Sequence, residues 1–87
     1  MKTFKDIIFK SNPMGEDFGS VSRSKFDNGY EVSVVKSLYT YGGDKGLYEL
    51  AIFKDGEIRY DTPITGDVIG YLRPEDVTDV MERVQKL

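Results

Sequence analysis

The chain has 87 residues, a net charge of −3, and neither cysteine nor histidine. The length suits a single domain, 1–87, with one modest core, because so short a chain buries only about 60–65% of its unfolded surface and leaves no room for a deep substrate cavity. The composition excludes a disulfide, a thiolate nucleophile, a zinc ribbon and an imidazole base, and the acidic surplus, which lies in residues 45–87, argues against nonspecific phosphate-backbone binding, which needs a basic face.

Residues 3–10, Thr-Phe-Lys-Asp-Ile-Ile-Phe-Lys, combine helical spacing at Phe4, Ile7 and Ile8 with a strand-like Ile7-Ile8-Phe9 run. A helical first turn capped by Thr3 and running into a short strand reconciles the two. Residues 11–19 read as a loop, with Met14 and Phe18 turned inward. Residues 20–36 read as a hairpin around Asp27-Asn28-Gly29. A three-residue turn pairs Phe26 with Tyr30 and Lys25 with Glu31, the latter as an ion pair. It also places Ser22, Ser24, Phe26, Tyr30, Val32 and Val34 on one face. The first arm is polar and basic, as suits an edge strand.

Residues 37–46, Ser-Leu-Tyr-Thr-Tyr-Gly-Gly-Asp-Lys-Gly, connect this hairpin to a second one over Leu47–Asp61. Lys54-Asp55-Gly56 marks its turn. A two-residue turn would pair Ile52 with Arg59 and Leu50 with Asp61, mixing apolar and charged residues. A three-residue loop pairs Ile52 with Ile58 and Leu50 with Tyr60, collecting Tyr48, Leu50, Ile52, Ile58 and Tyr60 on one face, and is the register expected. Thr62-Pro63 then breaks the sheet, and Thr65-Gly66-Asp67 caps a short turn over Val68–Leu72. Pro74 begins a helix whose Val77, Val80, Met81 and Val84 follow i, i+3, i+4, i+7 spacing. The fold class is α+β: an antiparallel meander of four or five strands with this amphipathic helix packed on one face.

No apolar run reaches membrane-spanning length, and no signal-like segment follows Met1, so a cytoplasmic chain is expected. Ser20, Ser22 and Ser24 have no histidine partner, and no paired-carboxylate arrangement stands out, so no catalytic residue is assigned and the chain reads as a non-enzyme. The carboxylates Asp61, Asp67, Glu75, Asp76, Asp79 and Glu82 lack calcium-loop spacing, and capping and dipole effects account for Asp67, Glu75 and Asp76. No metal or cofactor is expected. The glycine-rich stretch Gly42-Gly43-Asp44-Lys45-Gly46 could form an anion-binding nest with Lys45, but it lacks phosphate-loop spacing and precedes a strand. Tyr48, Tyr60 and Tyr71 read as core-rim residues. Tyr39 and Tyr41, on the glycine-rich connection, read as interface candidates.

The words Asn28-Gly29-Tyr30, Val32-Ser33-Val34-Val35, Tyr41-Gly42-Gly43-Asp44, Gly46-Leu47-Tyr48-Glu49-Leu50-Ala51, Tyr60-Asp61-Thr62-Pro63-Ile64-Thr65 and Asp67-Val68-Ile69-Gly70-Tyr71-Leu72 resemble a family of small, uncharacterised proteins encoded mainly by tailed bacteriophages and prophages. Phe4 through Pro13 is similar to the family's opening. Gly66, where an acidic residue is common, and an insertion at Glu16-Asp17 depart from it. The resemblance implies a phage origin and a host-cytoplasmic setting, with no catalytic residues to transfer. Small phage accessory proteins often bind and inhibit a host protein. The expectation is therefore docking to a host bacterial protein through Tyr39, Tyr41, Gly42, Gly43, Asp44 and Lys45, without direct nucleic-acid or membrane binding and compatible with a homo-oligomer. The rival is a nucleotide-binding sponge that uses Gly42–Gly46 for phosphate and a tyrosine for the base.

Overall fold

The computed structural model describes residues 1–11 and 19–87. The expectations for Met14, Phe18 and the Glu16-Asp17 insertion lie outside the described residues. The chain begins with a single 3-10 turn, Phe4–Asp6, in which the Thr3 N–H donates to Asp6 Oδ2 at 2.8 Å and the Asp6 N–H to the Thr3 carbonyl at 2.9 Å. Strand β1, Lys10–Ser11, follows, so a turn does lead into a short strand, but the strand lies after the Ile7-Ile8-Phe9 run expected to form it.

Strands β2, Ser20–Lys25, and β3, Tyr30–Lys36, form the first hairpin with Lys25 opposite Glu31. The Phe26 N–H donates to the Tyr30 carbonyl at 2.8 Å, and Gly29 takes the left-handed conformation that a three-residue turn requires, with φ +87°. The expected register is therefore present, but the ion pair is different. Glu31 is held by Arg23 through two bonds of 3.0 and 2.9 Å. The planar guanidinium fork matches a carboxylate better than an ammonium does, and its diagonal position also lays it 4.1 Å from the centre of the Phe53 ring.

Strand β4, Tyr48–Lys54, pairs with β3, matching Val32 to Ile52 and Val34 to Leu50. Beyond it the expected register fails. Asp55 (φ +55°) and Gly56 (φ +80°) are both left-handed, a two-residue turn that pairs Phe53 with Ile58 and Lys54 with Glu57. Two left-handed residues match the natural twist of a hairpin, and Asp-Gly supplies them readily. Ile58 accordingly joins Phe53 on the face away from Leu50, and Tyr60 is exposed. Strand β5 spans only Glu57–Ile58, with the Arg59 N–H donating to the Ile52 carbonyl at 2.7 Å before the chain leaves the sheet. The apolar–charged mixing that counted against this register falls on Arg59, whose Nε is buried without a hydrogen-bond partner among the described residues.

The remaining edge of β4 is filled by β6, Ile69–Leu72, where the sequence suggested a capped turn. Thr65 and Asp67 do make turn bonds: Thr65 Oγ1 accepts from the Asp67 N–H at 3.1 Å and Asp67 Oδ1 from the Val68 N–H at 2.7 Å. The turn delivers the chain back to β4, whose unpaired backbone stabilises a strand there. Pairing of Tyr48 with Leu72 and Leu50 with Ile69 leaves one extra residue on β6, a bulge that carries Tyr71 at φ +59°. The result, among the described residues, is a six-stranded antiparallel sheet, β1 to β5 in order with β6 beside β4.

Helix α1, Pro74–Gln85, starts at its proline, and the Arg73 N–H donates to Asp76 Oδ2 at 3.0 Å. Its Val77, Val80, Met81 and Val84 bury against Phe26, Val32, Val34, Leu50, Ile52 and Leu72. Phe4, Phe9 and Tyr48 close one end, with ring centres 5.2–5.9 Å apart. Asn28 ties the first turn to the end of the helix: its Nδ2 donates to the Val84 carbonyl at 2.9 Å, and its Oδ1 accepts from the Tyr30 N–H at 3.1 Å. Helix-end carbonyls lack partners within the helix, and this amide adds a bond to a carbonyl that otherwise accepts only from the frayed end, the Leu87 N–H at 3.1 Å among them. Asn28→Ala is expected to cost about 1–2 kcal/mol, which lowers the melting temperature by roughly 4–8 °C per kcal/mol in a domain of this size. An unchanged thermal melt would show that the side chain contributes nothing there.

Candidate functional site

The candidate site grows out of the end of β3. Ser37 and Thr40 lock a tight turn: Thr40 Oγ1 accepts from the Ser37 N–H at 3.0 Å, and Ser37 Oγ accepts from the Tyr39 N–H at 3.1 Å. The Gly43 N–H then donates to the Thr40 carbonyl at 3.0 Å and opens a 3-10 turn, Gly43–Lys45. Gly42 and Gly46 flank this turn in left-handed conformations. The Gly42 carbonyl accepts from both Lys45 and Leu47 N–H groups at 3.0 Å, and the Gly46 N–H donates to the Gly43 carbonyl at 3.1 Å.

Two further bonds strap the loop to the sheet. The Tyr41 N–H donates to Glu49 Oε2 at 2.8 Å, and the Tyr41 carbonyl accepts from the Tyr71 N–H at 3.1 Å. Close packing reinforces them. A Cβ on Gly42 would stand 2.9 Å from Tyr71 Cα, and one on Gly70 would stand 2.4 Å from Tyr41 Cβ. Tyr41-Gly42 and Gly70-Tyr71 thus interlock, each glycine making room for the other segment's tyrosine. Lys45 Nζ lies 5.9 Å from the centre of the Tyr71 ring.

The structure keeps Tyr39, Tyr41, Gly42, Gly43, Asp44 and Lys45 on one ordered loop and adds Tyr71 to them. Tyr39 is 72% exposed, Tyr41 63% and Tyr71 57%, with Leu38 exposed beside Tyr39. Tyr48 is a core-rim residue as expected, but Tyr71 and Tyr60 are not. Tyr71 is carried outward by the β6 bulge. The signal that could have found it is the pair of mirrored dipeptides, Tyr-Gly at 41–42 and Gly-Tyr at 70–71.

Chemically, the loop offers exposed aromatic area with phenol hydroxyls and one ammonium. It offers little to an anion: the N–H groups of Thr40, Tyr41, Gly43, Lys45, Gly46 and Leu47 donate within the protein, and of the Gly42–Gly46 nest only those of Gly42 and Asp44 remain. No helix is long and apolar enough to cross a membrane among the described residues. No family model, curated protein or solved structure matches the chain.

Proposed function

We propose that this chain is a small phage-encoded accessory protein, non-enzymatic, that binds a host bacterial protein in the host cytoplasm. Docking runs through Tyr39, Tyr41 and the Gly42-Gly43-Asp44-Lys45 turn, with Tyr71 completing the surface. The observation that carries the reading is the combination of exposure and order. Three tyrosines stand mostly exposed on a backbone strapped to itself and to the sheet by hydrogen bonds. Exposed apolar area on a rigid support is what an interface hot spot requires, because little further ordering is needed on binding. The phage setting rests on the sequence resemblance.

The test is capture from host lysate followed by reconstitution with the purified partner. One stoichiometric partner should bind the native chain, and Tyr39→Ala/Tyr41→Ala and Tyr71→Ala should each weaken it about a hundredfold or more, a loss of roughly 3 kcal/mol expected for hot-spot truncation. Undiminished binding by both variants would refute this surface. The nucleotide-sponge reading has a separate measurement. A nucleotide or cyclic dinucleotide at a hundredfold its dissociation constant would stabilise the protein by about 2.7 kcal/mol. The loop's internally bonded N–H groups lead us to expect no thermal shift with any of them. A shift abolished by Lys45→Ala would reverse the choice between the readings.

A further inference from the structure

The opposite edge of the sheet carries a second surface of different chemistry. Hydrogen-bonded pairs alternate along an antiparallel ladder. The Phe26–Tyr30 bond therefore makes Ser24 and Ser22 the residues bonded to β3, and turns the N–H and C=O groups of Arg23 and Lys25 away from it. Strand β1 covers β2 only at Ser20 and Val21. From Ser22 to Lys25, β2 has no strand on its outer side among the described residues. The Lys25 carbonyl is instead met by Lys2 Nζ at 2.8 Å.

Between this edge and the N-terminal segment lies a groove of about 460 Å³. Lys2, Lys10, Arg23 and Lys25 line it against a single carboxylate, Asp6. Arg23 is already paired with Glu31, so Lys2, Lys10 and Lys25 carry the positive charge of the groove, on a chain whose net charge is −3. Ile8, on the same groove, is 77% exposed. We infer that the Ser22–Lys25 edge of β2 accepts an extended acidic segment of a partner protein as an added strand.

The backbone supplies the ladder: Arg23 N–H and C=O and the Lys25 N–H are directed at the incoming chain, which continues the line of β1. Lys25, Lys10 and Lys2 select acidic side chains on the segment, and Ile8 gives an apolar residue a contact. Such strand addition takes its affinity from main-chain bonds and its specificity from alternating side chains. A second copy of the same edge is disfavoured, because antiparallel pairing would bring Arg23 and Lys25 against their own equivalents. Nucleic acid would meet the cations but leave the outward backbone groups unused. Basic side chains on an edge ordinarily discourage strand addition. Here they discourage a neutral or basic strand and favour an acidic one.

The experiment uses the full chain and a fluorescent peptide of alternating threonine and glutamate, followed by anisotropy. Saturable binding is expected, weakened by salt and weakened about tenfold or more when the peptide's edge-facing amides are N-methylated. Lys10→Glu/Lys25→Glu, at two exposed positions, should reduce binding by at least as much while the thermal melt persists. In the native chain the Arg23 amide hydrogen should exchange about tenfold more slowly with the peptide bound. Absence of saturable binding overturns the inference. Equal binding of the N-methylated peptide, or tighter binding of a single-stranded oligonucleotide, overturns it as well, since either would mean that charge alone acts. This edge lies across the sheet from the tyrosine loop, so failure here leaves the proposed docking surface untouched.

Discussion

Val80→Asp is expected to abolish the cooperative thermal transition. Val80 lies on the buried stripe of α1, and its neighbours Val77, Met81 and Val84 are fully enclosed. The helix is the only α-helix covering the Val32, Val34, Leu50 and Ile52 face among the described residues. An aspartate there is either an unpaired buried charge or a neutral acid with no hydrogen-bond partner, and the first costs more than a small domain's reserve of about 5–15 kcal/mol can absorb. Circular dichroism against temperature reads the outcome. A sigmoidal melt close to that of the native protein would mean that the helix is not seated on the sheet.

Gly43→Ala should have the largest effect on the docking surface. A Cβ at this position would stand 1.6 Å from the Ser37 carbonyl oxygen and 2.6 Å from Thr40 Oγ1. The nearer obstacle is backbone, so rotation of a side chain cannot relieve it. The Ser37–Thr40 turn must open, which breaks the Gly43 N–H bond to Thr40 and releases Tyr39 and Tyr41 from their positions. The expected loss is about 1–3 kcal/mol of stability, typical of overpacking, together with partner binding. Amide resonances of residues 37–47 and 69–72 should shift while those of α1 stay in place. Unchanged loop resonances would show that the turn tolerates the methyl group and that its geometry is not critical.

The first hairpin and the helix were legible because local and global signals agree in them. Asn28-Gly29 demands a turn of one kind, the alternation of Phe26, Tyr30, Val32 and Val34 demands the same register, and Pro74 with the valine stripe marks the helix. The second hairpin was misread because those signals disagree. Sorting of apolar residues assumed that both arms pair over their full length, whereas Asp55-Gly56 sets a two-residue turn and the second arm stops at Ile58. The true neighbour of Leu50 is Ile69, brought back by a loop that no short-range pattern announces. Strand β6 has the same tertiary origin: Val68-Ile69-Gly70-Tyr71-Leu72 becomes extended because half an edge of β4 is vacant. Tyr39 through Lys45 could be picked out as tyrosines beside glycines. Tyr71 was not, since its exposure follows from the bulge, and the mirrored Tyr-Gly and Gly-Tyr dipeptides are the one trace of it in the sequence.

The division of β4's second edge between β5 and β6 also shapes how the protein fails. Only Arg73 separates β6 from α1, so the two detach as a unit, and the contacts they share with β4 are lost together. What remains is a meander of β2, β3, β4 and β5 with Val32, Val34, Leu50 and Ile52 bared on one side and the Tyr48–Leu50 edge unpaired. A partly opened species with an apolar face and a naked strand edge is prone to self-association. The C-terminal segment therefore covers both, and a cut anywhere in residues 59–68 would open that face and that edge to intermolecular strand pairing.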